Sequence, residues 1–259
     1  MYENFLKVIE INPTELCNLK CTFCPRSSFY PNRNLHVDLR TIKKFKERVE
    51  EIDYQGVVSF TGRGEPTLHP QFDKIVDILL KNRKYKLKIN TNGKNIEKYL
   101  DQISQFEIVH LNFYEDDWDG YYKLVEKYKH FPNFNFYFKP PIPFELDLED
   151  KYTNRAGSFV KQELDENFCD MIYEKLFIHW NGDFKICCQD WKTDYSFGNI
   201  FTQSFKEYLY ENEQLRSFRN MLTEGRRDMK PCQSCDYRST CNQEKKLKYT
   251  EFNESFSVR

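Results

Sequence analysis

The pattern of apolar residues in the first half of the chain alternates between two periods. Short apolar runs at residues 6–11, 57–61, 87–91, 108–113 and 134–138 predict five β-strands. Between them, apolar residues recur at helical spacing in four segments, which predicts four helices: 39–52, 70–80, 96–103 and 121–128. Alternating strands and helices build a parallel sheet through right-handed crossovers. We therefore predict an α/β fold with a partial (β/α) barrel, since about 140 residues are too few for eight strand–helix units.

This alternation stops at three prolines between residues 140 and 143, and the acidic stretch 145–150 follows them. Prolines and clustered like charges are typical of a segment between two packed units. We place the domain boundary here, which divides the chain into a barrel domain, residues 1–144, and a second domain, residues 145–259.

The second domain has patterns of its own. Apolar runs at 175–180 and 183–188 flank Asn181-Gly182, a dipeptide that favours the turn of a β-hairpin. Ser204 and Glu207 have the spacing of a helix capping box, and apolar residues at 205–222 predict one helix that ends at Gly225. We predict a small hairpin-plus-helix domain.

Composition narrows the classes of function. Opposite charges are interspersed and give a net charge of -1, which argues against nucleic acid or a membrane surface as a partner. Glu3 and Lys7 interrupt the first apolar residues, so we expect no secretory signal and a cytoplasmic protein. In a reducing compartment, nine cysteines indicate metal or redox chemistry rather than disulfides.

Three of these cysteines, Cys17, Cys21 and Cys24, lie within eight residues just after the first predicted strand. We call them the cysteine triplet. Three thiolates can hold three corners of a [4Fe–4S] cube. No fourth cysteine is nearby, so one iron would stay open to a small molecule. Zinc is the alternative, but structural zinc sites favour four ligands and paired cysteines.

The spacing C-x3-C-x2-C, with Phe23 before the last cysteine, resembles the signature of the radical S-adenosylmethionine (SAM) superfamily. This resemblance implies that SAM binds the open iron and is cleaved to a 5′-deoxyadenosyl radical, which abstracts hydrogen from a substrate. It also implies that Phe23 borders the adenine of SAM. A protein such as flavodoxin or ferredoxin would supply the electron that the cluster needs.

Polar residues and glycines follow the second, third and fourth predicted strands. We predict that eight of them line the SAM site: Gly62, Gly64, Glu65, Asn90, Thr91, Asn92, Asn112 and Tyr114. The segment around Glu65 resembles the family's Gly-Glu motif, because glycine permits a close backbone approach and a carboxylate suits the ammonium of SAM. The third-strand segment resembles one that contacts the ribose or carboxylate of SAM in the family. A plain Asn-Gly turn is its alternative.

The other six cysteines all follow residue 168: Cys169, Cys187, Cys188, Cys232, Cys235 and Cys241. Their spacing resembles the SPASM and twitch extensions of radical SAM enzymes, which hold auxiliary clusters. No cysteine follows Cys241, which favours the twitch form with one auxiliary [4Fe–4S] cluster, an organisation similar to that of twitch-type aminocyclitol dehydrogenase. The resemblance implies four ligands, called here the auxiliary cysteines: Cys169, Cys187, Cys232 and Cys235. Cys241 is an alternative to Cys235, and zinc is an alternative occupant.

Arg155 and Cys188 are the candidate catalytic residues. Arg155 lies between the last barrel strand and Cys169, where it would bind a polar substrate or assist its deprotonation. A surface ion pair is the alternative for Arg155. Cys188 is either a hydrogen-atom donor to a substrate radical or a small buried residue.

Together, these features predict a radical SAM enzyme that oxidises a small polar substrate, with the auxiliary cluster as the electron acceptor. Radical epimerisation and peptide modification are the alternatives. Many peptide-modifying enzymes carry an N-terminal leader-binding domain, and we expect no room for one before the first strand. A non-enzymatic zinc protein is the alternative outside this class.

Overall fold

The computed structural model describes residues 5–141, 153–159, 168–192, 195–226, 229–239 and 241–255. The strands are β1 (Val8–Ile11), β2 (Val57–Phe60), β3 (Lys86–Thr91), β4 (Ile108–Phe113), β5 (Phe134–Phe138), β6 (Lys175–Ile178), β7 (Asp183–Lys185) and β8 (Ser196–Asn199). The helices are α1 (Leu39–Glu51), α2 (Phe72–Leu80), α3 (Leu100–Ile103), α4 (Trp118–Tyr128), α5 (Met171–Glu174), α6 (Glu213–Glu224) and α7 (Gln243–Glu254).

One sheet contains all of these strands, in the order β5-β4-β3-β2-β1-β6-β7-β8. Strands β1 to β5 pair in parallel, and α1 to α4 connect them in turn. This arrangement confirms the predicted α/β fold with five parallel strands and a partial barrel. The carboxyl ends of these strands therefore meet at one edge, where the loops of such sheets carry function.

The predicted hairpin belongs to the same sheet. Strand β6 pairs with β1 in parallel, with Val8 opposite Lys175 and Ile11 opposite Ile178. Strand β7 then turns back antiparallel to β6 through Gly182, whose φ of +87° suits a residue without a side chain. The second half of the chain thus extends the barrel sheet beyond β1.

Local chemistry explains where the elements begin. Asp38 caps α1, because its side chain accepts a hydrogen bond of 2.6 Å from the backbone N–H of Thr41. The buried face of α1 consists of residues at helical spacing, among them Ile42, Phe45 and Val49. Full burial of such a side chain is worth about 1.5–3 kcal/mol, so this face holds the helix against the sheet.

The helix predicted from residues 205–222 is interrupted. Its capping box is confirmed, with Ser204 N donating to Glu207 Oε2 over 2.5 Å and Glu207 N donating to Ser204 Oγ over 3.1 Å. A π-helical turn, Glu207–Glu211, follows, and then Asn212 becomes extended and caps α6 by accepting from Leu215 N over 2.9 Å. An asparagine side chain competes well for backbone donors, so it starts a new helix where the apolar spacing alone predicted continuity.

Three described helices and strands, α5, α7 and β8, were not predicted. The apolar residues of α7 do not gather on one face, so helical periodicity gave no signal there. No described helix has the length and apolar character needed to cross a membrane.

Candidate functional site

A cavity of about 330 Å³ opens at the carboxyl ends of the parallel strands. We call it the main cavity. The predicted SAM-site residues, the cysteine triplet and both candidate catalytic residues all line it: Cys17, Cys21, Phe23, Cys24, Gly62, Gly64, Glu65, Asn90, Thr91, Asn92, Asn112, Tyr114, Arg155 and Cys188. Residues at or just after the ends of four parallel strands, β1 to β4, and residues from the second half of the chain therefore converge on one site.

The loop that carries the cysteine triplet is held by hydrogen bonds to its backbone groups. Cys17 N donates to Asn32 Oδ1 over 2.8 Å, and Asn32 Nδ2 donates back to the Cys17 carbonyl over 2.8 Å. Cys24 N donates to the Cys21 carbonyl over 3.0 Å. Burial raises the pKa of Cys21 to about 12 and also raises that of Cys17. These thiols would thus release protons on binding iron, as metal-ligating cysteines do.

The Gly-Glu segment is packed against this loop. Glu65 N donates to the Leu16 carbonyl over 2.8 Å, and a Cβ on Gly64 would overlap the carbonyl oxygens of Thr14 and Leu16. Glycine is therefore required here by the close approach of the two loops. The segment positions the triplet loop in addition to facing the cavity.

The Glu65 carboxylate is buried, with 3% of the residue exposed, and accepts four hydrogen bonds. Oε1 accepts from Thr67 N over 3.2 Å, from Thr67 Oγ1 over 2.7 Å and from Thr91 Oγ1 over 2.7 Å. Oε2 accepts from Asn92 N over 2.8 Å. Burial raises the pKa of Glu65, although these hydrogen bonds act in the opposite direction. Because Oε2 accepts one of these bonds and Oε1 three, Oε2 keeps lone-pair capacity for a cationic ligand.

Two observations show that this side of the cavity fits SAM. Asn90 Oδ1 is buried and has no hydrogen-bond partner among the described residues, so a ligand donor such as a ribose hydroxyl would satisfy it. Phe23 and Tyr114 have ring centroids 5.5 Å apart and form an apolar patch with Phe159, which suits a flat adenine ring. Asn112 supports the edge of the site by donating to the Thr91 carbonyl over 3.4 Å.

A buried network below the triplet loop was missed by sequence reasoning. Glu15 accepts from Asn12 Nδ2 over 2.7 Å and hydrogen-bonds His179 Nε2 over 2.8 Å, and Arg26 Nη2 lies 3.7 Å from its other oxygen. Although burial acts to raise it, hydrogen bonds from His179 and Tyr30 lower the pKa of Glu15 to about 2. This carboxylate ties the triplet loop to the end of β6.

Glu10 also lines the main cavity and was not predicted. Strand β1 reads Val-Ile-Glu-Ile, and its alternation buries Ile9 and Ile11 in the core while Glu10 faces the other side. Burial, and then the charge of Cys188, raise the pKa of Glu10 to about 8. A glutamate inside an otherwise apolar strand is the feature of the sequence that could have identified Glu10 as a site residue.

The auxiliary cysteines line a second, smaller cavity, here called the small cavity: Cys169, Cys187, Cys232 and Cys235. Burial raises the pKa of Cys169 and of Cys232 to about 12. Cys241 does not line this cavity. Cys241 directly precedes Asn242, the N-cap of α7, and its thiol donates to the carbonyl of Asn242 over 3.5 Å.

Cys187 lines both cavities, so the two sites share a wall. Arg155 lies in the same region, with Nη1 donating to Gln189 Oε1 over 3.5 Å. Within the described parts of the chain, no three His, Cys, Asp or Glu side chains converge on a single-metal site. A cubane cluster takes one thiolate at each of several corners, so its ligands lie further apart than those of one ion.

Comparisons with known proteins agree with this geometry. The model of the radical SAM superfamily matches residues 11–132, and that of SPASM, an iron–sulfur cluster-binding domain, matches residues 169–236. The SAM-dependent 2-deoxy-scyllo-inosamine dehydrogenase of Niallia circulans is 26% identical over 242 residues, which cover 90% of this chain and 94% of that protein. A GTP 3′,8-cyclase of Vibrio cholerae serotype O1 is 25% identical over 114 residues, which cover 43% of this chain and 34% of the cyclase.

Solved structures show the same fold. BtrN in complex with AdoMet and 2-DOIA superimposes with a TM-score of 0.78 at 21% identity, covering 94% of this chain and 98% of that one. Native anSMEcpe with bound AdoMet gives a TM-score of 0.57 at 18% identity, covering 96% of each chain. Radical SAM enzymes require SAM and a [4Fe–4S] cluster, and SPASM regions bind auxiliary iron–sulfur clusters. Residues 11–132 are thus a radical SAM domain, and residues 169–236 are a SPASM-type iron–sulfur cluster-binding region.

Proposed function

We propose that this enzyme oxidises a small polar substrate by two electrons. The shared wall at Cys187 carries this proposal, because a predicted auxiliary ligand borders the cavity in which SAM and substrate would meet. When bound, SAM and its cluster supply a radical that abstracts a hydrogen atom, and an auxiliary cluster supplies an electron acceptor. The likeness to a dehydrogenase over 90% of the chain supports the same reaction class.

The residues of the main cavity divide the remaining tasks. The cysteine triplet would hold the first cluster, and Glu65 Oε2 would bind the ammonium of SAM. Asn90 would accept from the ribose, and the patch of Phe23 and Tyr114 would face the adenine. Each assignment pairs a ligand group with the side-chain chemistry that suits it.

Oxidation of a hydroxyl also requires loss of a proton. A guanidinium donates hydrogen bonds and has no acceptor, so Arg155 would stabilise a developing alkoxide rather than take the proton. Glu10, whose pKa is raised to about 8, lines the same cavity and would receive the proton.

Epimerisation is the second candidate, and the position of Cys188 favours it. Cys188 lines the main cavity, where its thiol would return a hydrogen atom to a substrate radical. The two reactions differ in their use of solvent hydrogen, because a cysteine thiol exchanges with water and a dehydrogenation adds no hydrogen to the reacting carbon.

Isotope labelling of the products separates these reactions. Reconstituted enzyme would be incubated anaerobically in heavy water with a panel of polyols, sugars and aminocyclitols, 2-deoxy-scyllo-inosamine among them. For a compound that is turned over, we expect a product lighter by two hydrogens, one 5′-deoxyadenosine per product and no deuterium at the reacting carbon. A product of unchanged formula that gains one deuterium, lost in Cys188→Ala, would establish epimerisation instead.

An external electron donor completes the proposal. The first cluster needs one electron per SAM cleaved, and we propose flavodoxin or ferredoxin as its source. Seven of the nine cysteines are proposed cluster ligands, which must stay reduced, so we propose a cytoplasmic location.

A further inference from the structure

The charged side chains around the main cavity are mostly cations. The lining includes Glu10, Arg26, Arg63, Glu65, Lys139, Arg155 and Lys185. Arg26 pairs with Glu15, and Arg63 donates to the Asp190 carbonyl over 2.6 Å. Both arginines therefore already bind groups of the protein itself. Glu65 receives its four protein donors. Glu10 is the carboxylate left to balance the cations of the substrate side.

Lys139 and Arg155 are two further cations of this lining. Lys139 follows β5, where its backbone N–H donates to the Phe113 carbonyl over 2.8 Å. Arg155 Nε is buried without a hydrogen-bond partner, and within the described parts of the chain neither residue forms an ion pair with a carboxylate. A buried guanidinium N–H without an acceptor destabilises the protein unless a ligand accepts its hydrogen bond.

More positive charge surrounds this pair. Burial and the charges of Arg155 and Lys88 lower the pKa of Lys139. Lys88 and Lys139 also act on His110, where burial and these two charges lower the pKa to about 4. Cations that repel one another in a cavity are stabilised by an anion placed between them.

We propose that the substrate carries an anionic group, a carboxylate or a phosphate, which Lys139 and Arg155 bind in the main cavity. This inference rests on the proposed function, since it names the substrate class of that site. It separates this enzyme from the related dehydrogenase, whose named substrate, an inosamine, is an amine. The carboxylate of SAM is not the expected anion, because the open iron of the first cluster would hold it.

Binding of two simple anions tests the inference. Reconstituted, SAM-loaded enzyme would be dialysed anaerobically at low salt against radiolabelled inorganic phosphate and, separately, acetate. We expect one equivalent of at least one anion to bind, with an affinity that falls as sodium chloride is added. Binding of phosphate alone supports a phosphate-bearing substrate, and binding of acetate alone supports a carboxylate.

Substitutions of Lys139 test whether the anion binds at this residue. Lys139→Met should weaken anion binding about tenfold, which corresponds to about 1.4 kcal/mol. Lys139→Arg should retain binding, and the control Lys43→Met, at an exposed position on α1, should not change it. Equal iron content across the variants shows that they fold.

Three results would overturn the inference: no binding of either anion to the wild-type enzyme, equal binding by Lys139→Met, or efficient turnover of 2-deoxy-scyllo-inosamine. If SAM cleavage continues while neither anion binds, the substrate class is wrong and the proposed function stands. If SAM is not cleaved by the loaded enzyme, the proposed function itself fails.

Discussion

Replacement of Glu65 by alanine tests the part of the site that serves both the fold and SAM. The Glu65 carboxylate accepts hydrogen bonds from Thr67, Thr91 and Asn92. Only 3% of the Glu65 surface is exposed. Glu65→Ala leaves those donors without an acceptor and removes the charge facing the cavity. Thr67→Val is the matched control, because it removes the bond from Thr67 Oγ1 at nearly constant volume and Thr67 does not line the main cavity.

The structure sets the size of each effect. A hydrogen bond to a charged group is worth about 1.5–3 kcal/mol, and an orphaned buried donor costs about 1–3 kcal/mol. These terms are not additive, so we expect Glu65→Ala to lose about 3 kcal/mol of stability and Thr67→Val about 1 kcal/mol. For a chain of this size, 1 kcal/mol shifts the melting temperature by about 2–4 °C, so the expected losses are about 6–12 °C and 2–4 °C.

Anaerobic thermal unfolding and SAM titration of the reconstituted variants measure both roles. We expect Glu65→Ala to weaken SAM binding at least about tenfold and Thr67→Val to leave the affinity for SAM near that of wild type. A lower melting temperature with unchanged SAM affinity would show that Glu65 only holds the loops together. An unchanged melting temperature would refute the reasoning from its four hydrogen bonds.

Four further predictions concern the clusters and Glu10. Alanine at Cys17, Cys21 and Cys24 should remove about half of the roughly eight irons expected for two [4Fe–4S] clusters and abolish 5′-deoxyadenosine formation, and retained SAM cleavage would end the assignment. Alanine at all four auxiliary cysteines should leave SAM cleavage but stop substrate oxidation. Cys241→Ala, outside the small cavity, should keep full iron content, and a loss of iron there would make Cys241 a ligand. The pKa of Glu10 is about 8 in the folded protein and about 4.5 in the unfolded chain. The free energy of unfolding therefore falls progressively as pH rises from about 4.5 to 8, because the unfolded chain loses the proton first. Glu10→Gln should therefore raise the melting temperature at pH 9 but not at pH 4, and an equal shift at both would contradict the raised pKa.

The sequence by itself determined the parts of this protein that depend on local pattern. Alternating apolar periods predicted β1 to β5 and α1 to α4, because strand and helix periodicity are properties of neighbouring residues. The convergence of Glu65, Asn90 and Asn112 on one cavity also followed, since parallel strands present their carboxyl ends at one edge.

Only the tertiary structure decided how the two halves of the chain meet. The pairing of β6 with β1 joins residues more than 160 positions apart, and no local pattern encodes that register. This pairing brings His179 to Glu15 and places Cys187 in the wall between the two cavities. Glu10, Lys139 and Arg155 come from three distant segments and line the same cavity, where the charge of Arg155 acts on the other two. The cysteine spacing could indicate two clusters, but their common wall depends on long-range strand pairing.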